Sequence, residues 1–348
     1  VILLIVVMFT GRINDAARWI SIAGIQFQPS EFAKMAVVIV TAFILSKGRT
    51  EDGANPSAFK NIMIIAGTIC AIILPENFST AFLLFGVVFL MMYIGHVPLK
   101  KLGILVGSLF SVAIVGIAFL IITKDIDVPF MHRFDTWRTR IEKFVSNEEI
   151  AASEFDTDKD GQVAHARIAV ATSHIIGKGP GNSVQRDFLS QAFSDFIFAI
   201  VIEELGLLGG AFVVFLYICL LIRVGRIAKR CNRSFPAFLV IGIGLLLVTQ
   251  AVFNMMVAVG LAPVTGQPLP LISRGGTSTI INCVYIGMLL SVSRYTASIE
   301  QEELLRQAEV APEKSAAVLL AEAVLAENQA QSAEEPTSEV LNSDSEFE

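Results

Sequence analysis

Charge is scarce in this sequence. Only 17% of its 348 residues are Asp, Glu, Lys or Arg, against 54% hydrophobic residues that include 25 Phe, and the mean hydropathy is +0.66. So little charge cannot give a globule of this size a polar shell, which excludes a soluble protein and leaves an all-α polytopic membrane protein. Cysteine is equally sparse. Cys70, Cys219, Cys231 and Cys283 stand in apolar segments or beside a basic loop, with no CxxC spacing. That excludes a disulfide framework and a zinc site, and the four read as buried thiols. His132, His165 and His174 are scattered without metal-ligand spacing. No cofactor is evident, a divalent cation being the one candidate, and no nucleic-acid partner is expected.

Long apolar runs are what the sequence has in abundance. Eight candidate spans cover Val1–Phe9, Pro29–Leu45, Asn61–Ile73, Thr80–Ile94, Gly103–Thr123, Phe196–Ile222, Phe235–Leu261 and Ser278–Val292, most near the ~20 residues a bilayer needs. The first is too short and the chain opens on Val, so a fragment cut inside a helix is expected. Beyond Arg294 the apolar runs stop. Residues 1–296 read as a transmembrane domain and 297–348, rich in Glu, Ala and Ser, as a disordered acidic tail with at most a transient helix near Val318–Leu325.

Orientation follows from where short loops keep Lys and Arg. One alternate set holds Lys47, Arg49, Lys60, Lys100, Lys101, Arg223, Arg226, Lys229, Arg230, Arg233 and Arg294; the other holds only Arg12, Arg18 and Arg274. The first set, and the tail with it, is cytoplasmic. Residues 124–194 then form one long extracytoplasmic loop, and Asp195 sits at the outer mouth of its helix. Glu203 lies eight residues further in, about 12 Å along the helix and within roughly 80° of the Asp195 face, whereas Glu204 points the opposite way.

Ionisable groups inside an apolar span cost a few kcal/mol unless paired or facing a wet cavity, so each demands a reason. Asp195, Glu203 and Glu204 interrupt SQAFSDFIFAIVIEELG. Glu31 falls in the first turn of a helix, where a carboxylate suits the dipole, and Lys34 is its i+3 neighbour, which gives a membrane-buried ion pair. Asn254 is a further polar residue within a span. The long loop carries RFDTWRTR (133–140) and GKGPGNSVQR (177–186), where glycines let backbone amides approach an anion and Lys178 and Arg186 supply charge. Its apolar stretch Ile168–Ile176 is too short to cross a bilayer and is expected to lie partly buried at the outer interface. The prolines and glycines of PVTGQPLPLISRGGTS (263–278) forbid regular helix and so belong where backbone lines a cavity. DTDKDG (156–161) has the acidic spacing that opens a calcium loop, but the twelfth position is Arg167 where a bidentate Glu is required.

The ordered set ARWI (17–20), QPSE with Lys34, PENFSTA (75–81), GKGPGNSVQR, DFIFAIVIEELG and PVTGQPLPLIS-x-GG-x-S resembles the family of shape, elongation, division and sporulation proteins, over about 11–294. GNSVQR is closer to its division branch than to its elongation branch. The family has ten transmembrane helices, so the resemblance implies that eight are represented here, the first of them truncated. It also implies a peptidoglycan glycosyltransferase of the cytoplasmic membrane, with an extracytoplasmic active site that joins lipid II disaccharides and releases undecaprenyl pyrophosphate. Asp195 maps onto the family's catalytic carboxylate, as general base, and Glu31 and Lys34 onto its buried pair. Arg18, Arg133, Arg138, Arg140, Lys178, Arg186 and Ser273 are candidates to bind the substrate and its pyrophosphate. A class B penicillin-binding transpeptidase and division proteins are the implied partners. Phe193 and Ser194 stand where the family has His and Thr, Arg274 where it has Tyr, and Asn77-Phe78-Ser79 where it has an Asp-Leu-Gly turn. A lipid II flippase, which would want charge at mid-depth, and a non-catalytic division scaffold are the alternative readings.

Overall fold

Apolar runs of helical length dictate the elements, and polar punctuation sets where they end. The computed structural model describes Leu4 and residues 20–22, 25–48, 54–75, 77–122, 160–189 and 192–333. A short antiparallel hairpin of β1 (Ile20–Ile22) and β2 (Ile25–Phe27) precedes the helices, with Ile20 opposite Phe27. It is the one departure, among the described residues, from an all-helical chain. Then come α1 (Pro29–Ser46), α2 (Ala58–Ile73), α3 (Phe78–Ile94), α4 (Leu99–Ile122), α5 (Asp160–Ala171), α6 (Ile197–Arg230), α7 (Ser234–Ala258) and α8 (Gly276–Ala333). Pro29 opens α1, where its missing N–H is no loss. Asn77 caps α3 by accepting from the Thr80 N–H at 3.2 Å.

Seven of the eight expected spans coincide with helices, and Val1–Phe9 lies outside the described residues apart from Leu4. Of these, α1, α6, α7 and residues 276–306 of α8 are long and apolar enough to cross a membrane, with α2 and α3 as shorter apolar helices. Two compact units are distinguished, 1–293 and 294–348. In the second, residues up to Ala333 are helical, where the sequence predicted disorder. Its Ala, Glu, Leu and Gln are strong helix formers.

Helix α7 is the centre of the first unit, packing against α1, α3, α5 and α6. Two glycines let it approach so closely. A Cβ on Gly242 would fall 2.7 Å from both Met91 and Val38, and one on Gly244 2.6 Å from Val224. Small residues at such crossings are how membrane helices gain dispersion contacts when lipid is as apolar as Leu. Val37 and Val38 of α1, Leu84, Val88 and Met91 of α3, and Ile243, Leu246 and Leu247 of α7 form the fully enclosed apolar core.

The outward faces are apolar as well. Phe43, Ile64, Phe82, Phe110, Phe212, Phe215, Leu216 and Leu290 are all exposed, while Glu31, Lys34, Glu203, Gln250 and Asn254 are buried. A soluble protein reverses that distribution. Two cysteines expected to be buried follow it outward: Cys219 and Cys283 are exposed on helix faces, with Cys70 buried and Cys231 between. A thiol is apolar enough to face lipid as readily as core.

Candidate active site

Helix α6 is broken where its sequence reads Glu203-Glu204-Leu205-Gly206. Gly206 has φ 74° and ψ −174°, a left-handed conformation in which a Cβ is strained, and the helix kinks around it. A kink orphans backbone groups, and in a membrane none can be left to water. The segment 174–179 supplies partners to four of these groups. Lys178 N–H donates to Glu203 O at 3.0 Å and Gly179 N–H to Glu204 O at 2.9 Å, while Leu207 and Leu208 donate to His174 O and Ile175 O at 3.2 and 3.3 Å. The two strands of chain run so close that Gly177 (φ 79°) is needed opposite Gly206. A Cβ on either would come within 2.3 Å of the other segment's backbone.

Side chains lock the same junction. Glu203 is fully buried, and its Oε1 lies 2.6 Å from Lys178 Nζ. Ser183 Oγ donates to its Oε2 at 2.5 Å, and the Val184 and Gln185 N–H groups donate to the two oxygens at 3.3 Å. GKGPGNSVQR thus wraps one carboxylate, with its glycines in the positive-φ conformations that the sequence associates with anion binding (Gly177, Gly179, Gly181). The anion they surround belongs to the protein. His165 closes the far side, 2.6 Å from Gln185 Oε1 and stacked on Phe188 at 5.1 Å. The helix beneath, α5, starts at Asp160, the last-but-one residue of the acidic DTDKDG run, and ends at Ala171. The apolar stretch 168–176 is therefore half helix and half loop, with Ile175 and Ile176 exposed.

Asp195 precedes the first turn of α6, and a second polar network holds the backbone on which it stands. Asn254 of α7 donates from one nitrogen to Asp195 O at 2.8 Å and to Gln267 O at 2.7 Å. Ser273 Oγ donates to Ser194 O at 2.6 Å while accepting from the Leu269 N–H at 2.7 Å, and the Arg274 N–H donates to Phe193 O at 2.8 Å. The loop 263–275 is strapped to residues 193–195 in this way. Ser194 Oγ donates to Asp195 Oδ1 at 2.9 Å, so the serine that replaces the family's threonine keeps a hydroxyl beside the carboxylate. Tyr217 OH donates to Pro270 O from the other side of the loop.

The network continues to the ion pair. Lys34 Nζ lies 2.7 Å from Glu31 Oε1, both side chains buried, and donates to Gln250 Oε1 at 3.1 Å. Gln250 in turn donates to Pro268 O at 3.0 Å, and Gln267 to Thr80 Oγ1 at 2.7 Å. One end of the bundle, where α1, α3, α6 and α8 begin and α7 ends, is thereby tied into a single polar assembly.

The residues singled out from the sequence divide into groups. Glu31, Lys34, Asp195, Ser273 and Asn254 belong to this assembly. Glu203 and Lys178 belong to the junction at Gly206, so the Lys178 charge is committed to a carboxylate, a departure from its expected place on substrate phosphate. Glu204 is half-buried and, as the next residue on the helix, points about 100° away from Glu203. The Arg186 side chain is one-third exposed and donates to the exposed Asp187 at 3.3 Å, while its N–H donates to Ser183 Oγ at 3.1 Å. Arg18, Arg133, Arg138 and Arg140 lie outside the described residues. Sequence reasoning passed over Gln250, Gln267 and Thr80. The signal for Gln250 was present, since it stands one helical turn from Asn254 in an apolar span. Among the described residues no cluster of His, Cys, Asp and Glu could hold a metal ion.

Helices apolar on the outside, with an ion pair, a buried carboxylate and carboxamides gathered within, define an all-helical polytopic membrane protein whose polar site is built from helix ends and one irregular loop. Residues 1–298 match the FtsW/RodA/SpoVE family of cell cycle proteins, and the chain belongs to that family. Two relatives are each named probable peptidoglycan glycosyltransferase FtsW. That of Hahella chejuensis is 33% identical over 84% of this chain and 70% of its own; that of Geobacter sp. strain M18 is 31% identical over 81% and 72%. Among solved structures, one comes from work on the structural coordination of polymerization and crosslinking by a peptidoglycan synthase complex. It superposes with a TM-score of 0.65 at 25% identity, over 85% of this chain and 78% of that one. The rod shape determining protein RodA of Thermus thermophilus gives 0.53 at 26% identity, over 84% and 74%.

Proposed function

We propose that this chain is a peptidoglycan glycosyltransferase of cell division that joins lipid II disaccharides at the outer face of the cytoplasmic membrane, with Asp195 as general base. The names of its relatives support the reaction class. The observation that carries the assignment of Asp195 is its anchorage: three hydrogen bonds fix the backbone of residues 193–195 to α7 and the 263–275 loop, so a carboxylate is held at a helix mouth, with the buried Asn254 as one of the three donors. Such preorganisation is what proton transfer in a transition state requires.

In the proposed step an Asp195 oxygen takes the proton from the acceptor sugar's 4-hydroxyl. The hydroxyl oxygen forms a bond to the donor's anomeric carbon, and the bond from that carbon to pyrophosphate oxygen breaks, its electron pair leaving with undecaprenyl pyrophosphate. One carboxylate suffices for such an inverting displacement, because the sugar itself is the nucleophile and no covalent intermediate is formed. Ser194 orients Asp195. Arg186 supplies charge for the leaving pyrophosphate, joined by Arg18, Arg133, Arg138 and Arg140 through the family resemblance. A class B penicillin-binding transpeptidase is the proposed partner, in keeping with a structural relative from a synthase that couples polymerization with crosslinking.

The test is glycan synthesis by the protein in vesicles whose outer leaflet carries lipid II. Asp195→Asn keeps size and fold and is expected to lower polymerisation about 100-fold or more while lipid II still binds. Near-normal strand synthesis by a well-folded Asp195→Asn protein would refute the assignment, and absence of strands from the unaltered protein would turn attention to a flippase or scaffold.

A further inference from the structure

The irregular loop that borders Asp195 satisfies only part of its own backbone, as in the Ile272 and Ser273 N–H groups that donate to Leu269 O. Its prolines and glycines preclude a helix, and Leu271 takes φ 69°, a strained conformation for a branched residue. Two consecutive carbonyls of this loop, Gln267 O and Pro268 O, receive their hydrogen bonds from Asn254 and Gln250. These two carboxamides stand at i and i+4 on the buried face of α7, so they project from adjacent turns of one rigid helix.

Each of them has a second obligation, and the two obligations point in opposite directions. Gln250 accepts from Lys34 with its oxygen while donating to the loop with its nitrogen. A carboxamide is suited to this because it carries both functions; a carboxylate could only accept and an amine only donate. Asn254 spends both amino hydrogens, one on the loop and one on the carbonyl of Asp195 itself. Its oxygen meets no partner among the described residues, so the two carbonyls alone dictate which way the amide faces. A continuous path results, from the Glu31–Lys34 pair through Gln250 to the loop, and from the loop through Asn254 to Asp195.

We infer that Gln250 and Asn254 are positioning residues for the reaction at Asp195, and that the buried ion pair serves catalysis through them by fixing where the loop and the carboxylate stand. The inference rests on the function proposed above. Neither side chain touches substrate. Removing its hydrogen bonds releases the loop, and a displacement of about 1 Å at a reacting group can cost about 100-fold in rate without weakening substrate binding.

Gln250→Met and Asn254→Leu remove the hydrogen bonds with little change of volume and none of charge. They are compared with Asp195→Asn in the whole protein, reconstituted in vesicles with lipid II. Both are expected to lower kcat by about 10- to 100-fold with KM within about 2-fold of the parent. Asn254→Ser, which restores one donor, should recover part of the loss, whereas Gln250→Glu, which keeps the acceptor for Lys34 but loses the donor to Pro268, should not. Thermal melting of each purified variant accompanies the kinetics, and Gln250→Met carries the decision if Asn254→Leu does not fold. Parental kcat in a folded Gln250→Met protein, with Asp195→Asn inactive, would overturn the positioning role and leave the Asp195 assignment intact. A raised KM at parental kcat would overturn it too, by placing these residues in substrate binding. An active Asp195→Asn protein would instead overturn the assignment of Asp195, and with it this inference.

Discussion

Replacing Lys178 by Met is expected to loosen the junction at Gly206 by an amount the geometry allows one to work out. Glu203 is fully enclosed, and the Lys178 ammonium at 2.6 Å is its only cationic partner among the described residues. Removing one member of a buried pair costs about 3–5 kcal/mol, most of it the penalty of the charge left behind. Two features reduce that here: Lys178 retains 30% of its side-chain exposure, so its charge is partly solvated, and Ser183, Val184 and Gln185 still donate to the carboxylate. About 2–3 kcal/mol is the expected loss. Glu203→Gln should cost a similar amount, because the amide nitrogen is forced against donors that had faced oxygen. In the double variant no charge is left uncompensated, so the two losses should fail to add by about 2 kcal/mol. Equilibrium unfolding of the four proteins in mixed micelles measures that coupling, and protease cleavage within 174–186 reports whether the loop detaches first. A coupling below about 0.5 kcal/mol together with unchanged cleavage would refute the claim that Glu203 holds the loop.

Gly206→Ala would place a Cβ 2.2 Å from Ile175 O in a φ 74° conformation, and should lower stability by about 2–5 kcal/mol on strain and overpacking together, read by thermal melting. Lys34→Met should destabilise by about 3–5 kcal/mol by stranding Glu31, and pairing it with Glu31→Gln should restore part of the loss in the same assay. With Lys178 spoken for by Glu203, Arg186→Glu alone should raise KM for lipid II with little change in melting, whereas Lys178→Glu should lower the melting temperature by setting two carboxylates face to face; steady-state kinetics beside melting curves separates the two.

Helices were the most legible feature, because an apolar run of about 20 residues in a chain short of charge admits few other structures. The Glu31–Lys34 pair was legible for a local reason: residues at i and i+3 share a helix face wherever the helix lies. Lys178 was not. Its glycine-rich setting suggests an anion, and an anion is there, but nothing local says that the carboxylate comes from a residue 25 positions away on α6. The hairpin before α1 and the reach of α8 to Ala333 were missed for the opposite reason, since short strands and solvated helices carry too weak a pattern to stand out against loop or disorder.

Glu203 and Asp195 show how carboxylates eight residues apart in one apolar stretch come to be held differently. Around Glu203 the chain has assembled a cation, a hydroxyl and two backbone N–H groups, a set that satisfies a buried carboxylate from within the protein. Around Asp195 the hydrogen bonds also reach the main chain: Asn254, Ser273 and the Arg274 N–H bind the carbonyls of residues 193–195, and Ser194 donates to the carboxylate. A structural carboxylate is best served by donors to its oxygens, whereas one that must accept a proton also needs a rigid backbone beneath it. The two arrangements also depend on each other, because the kink that Glu203 stabilises lies on the same helix whose first turn Asp195 precedes. The Glu203 junction therefore sets the direction in which that helix leaves the site, and the α7 carboxamides set where it begins.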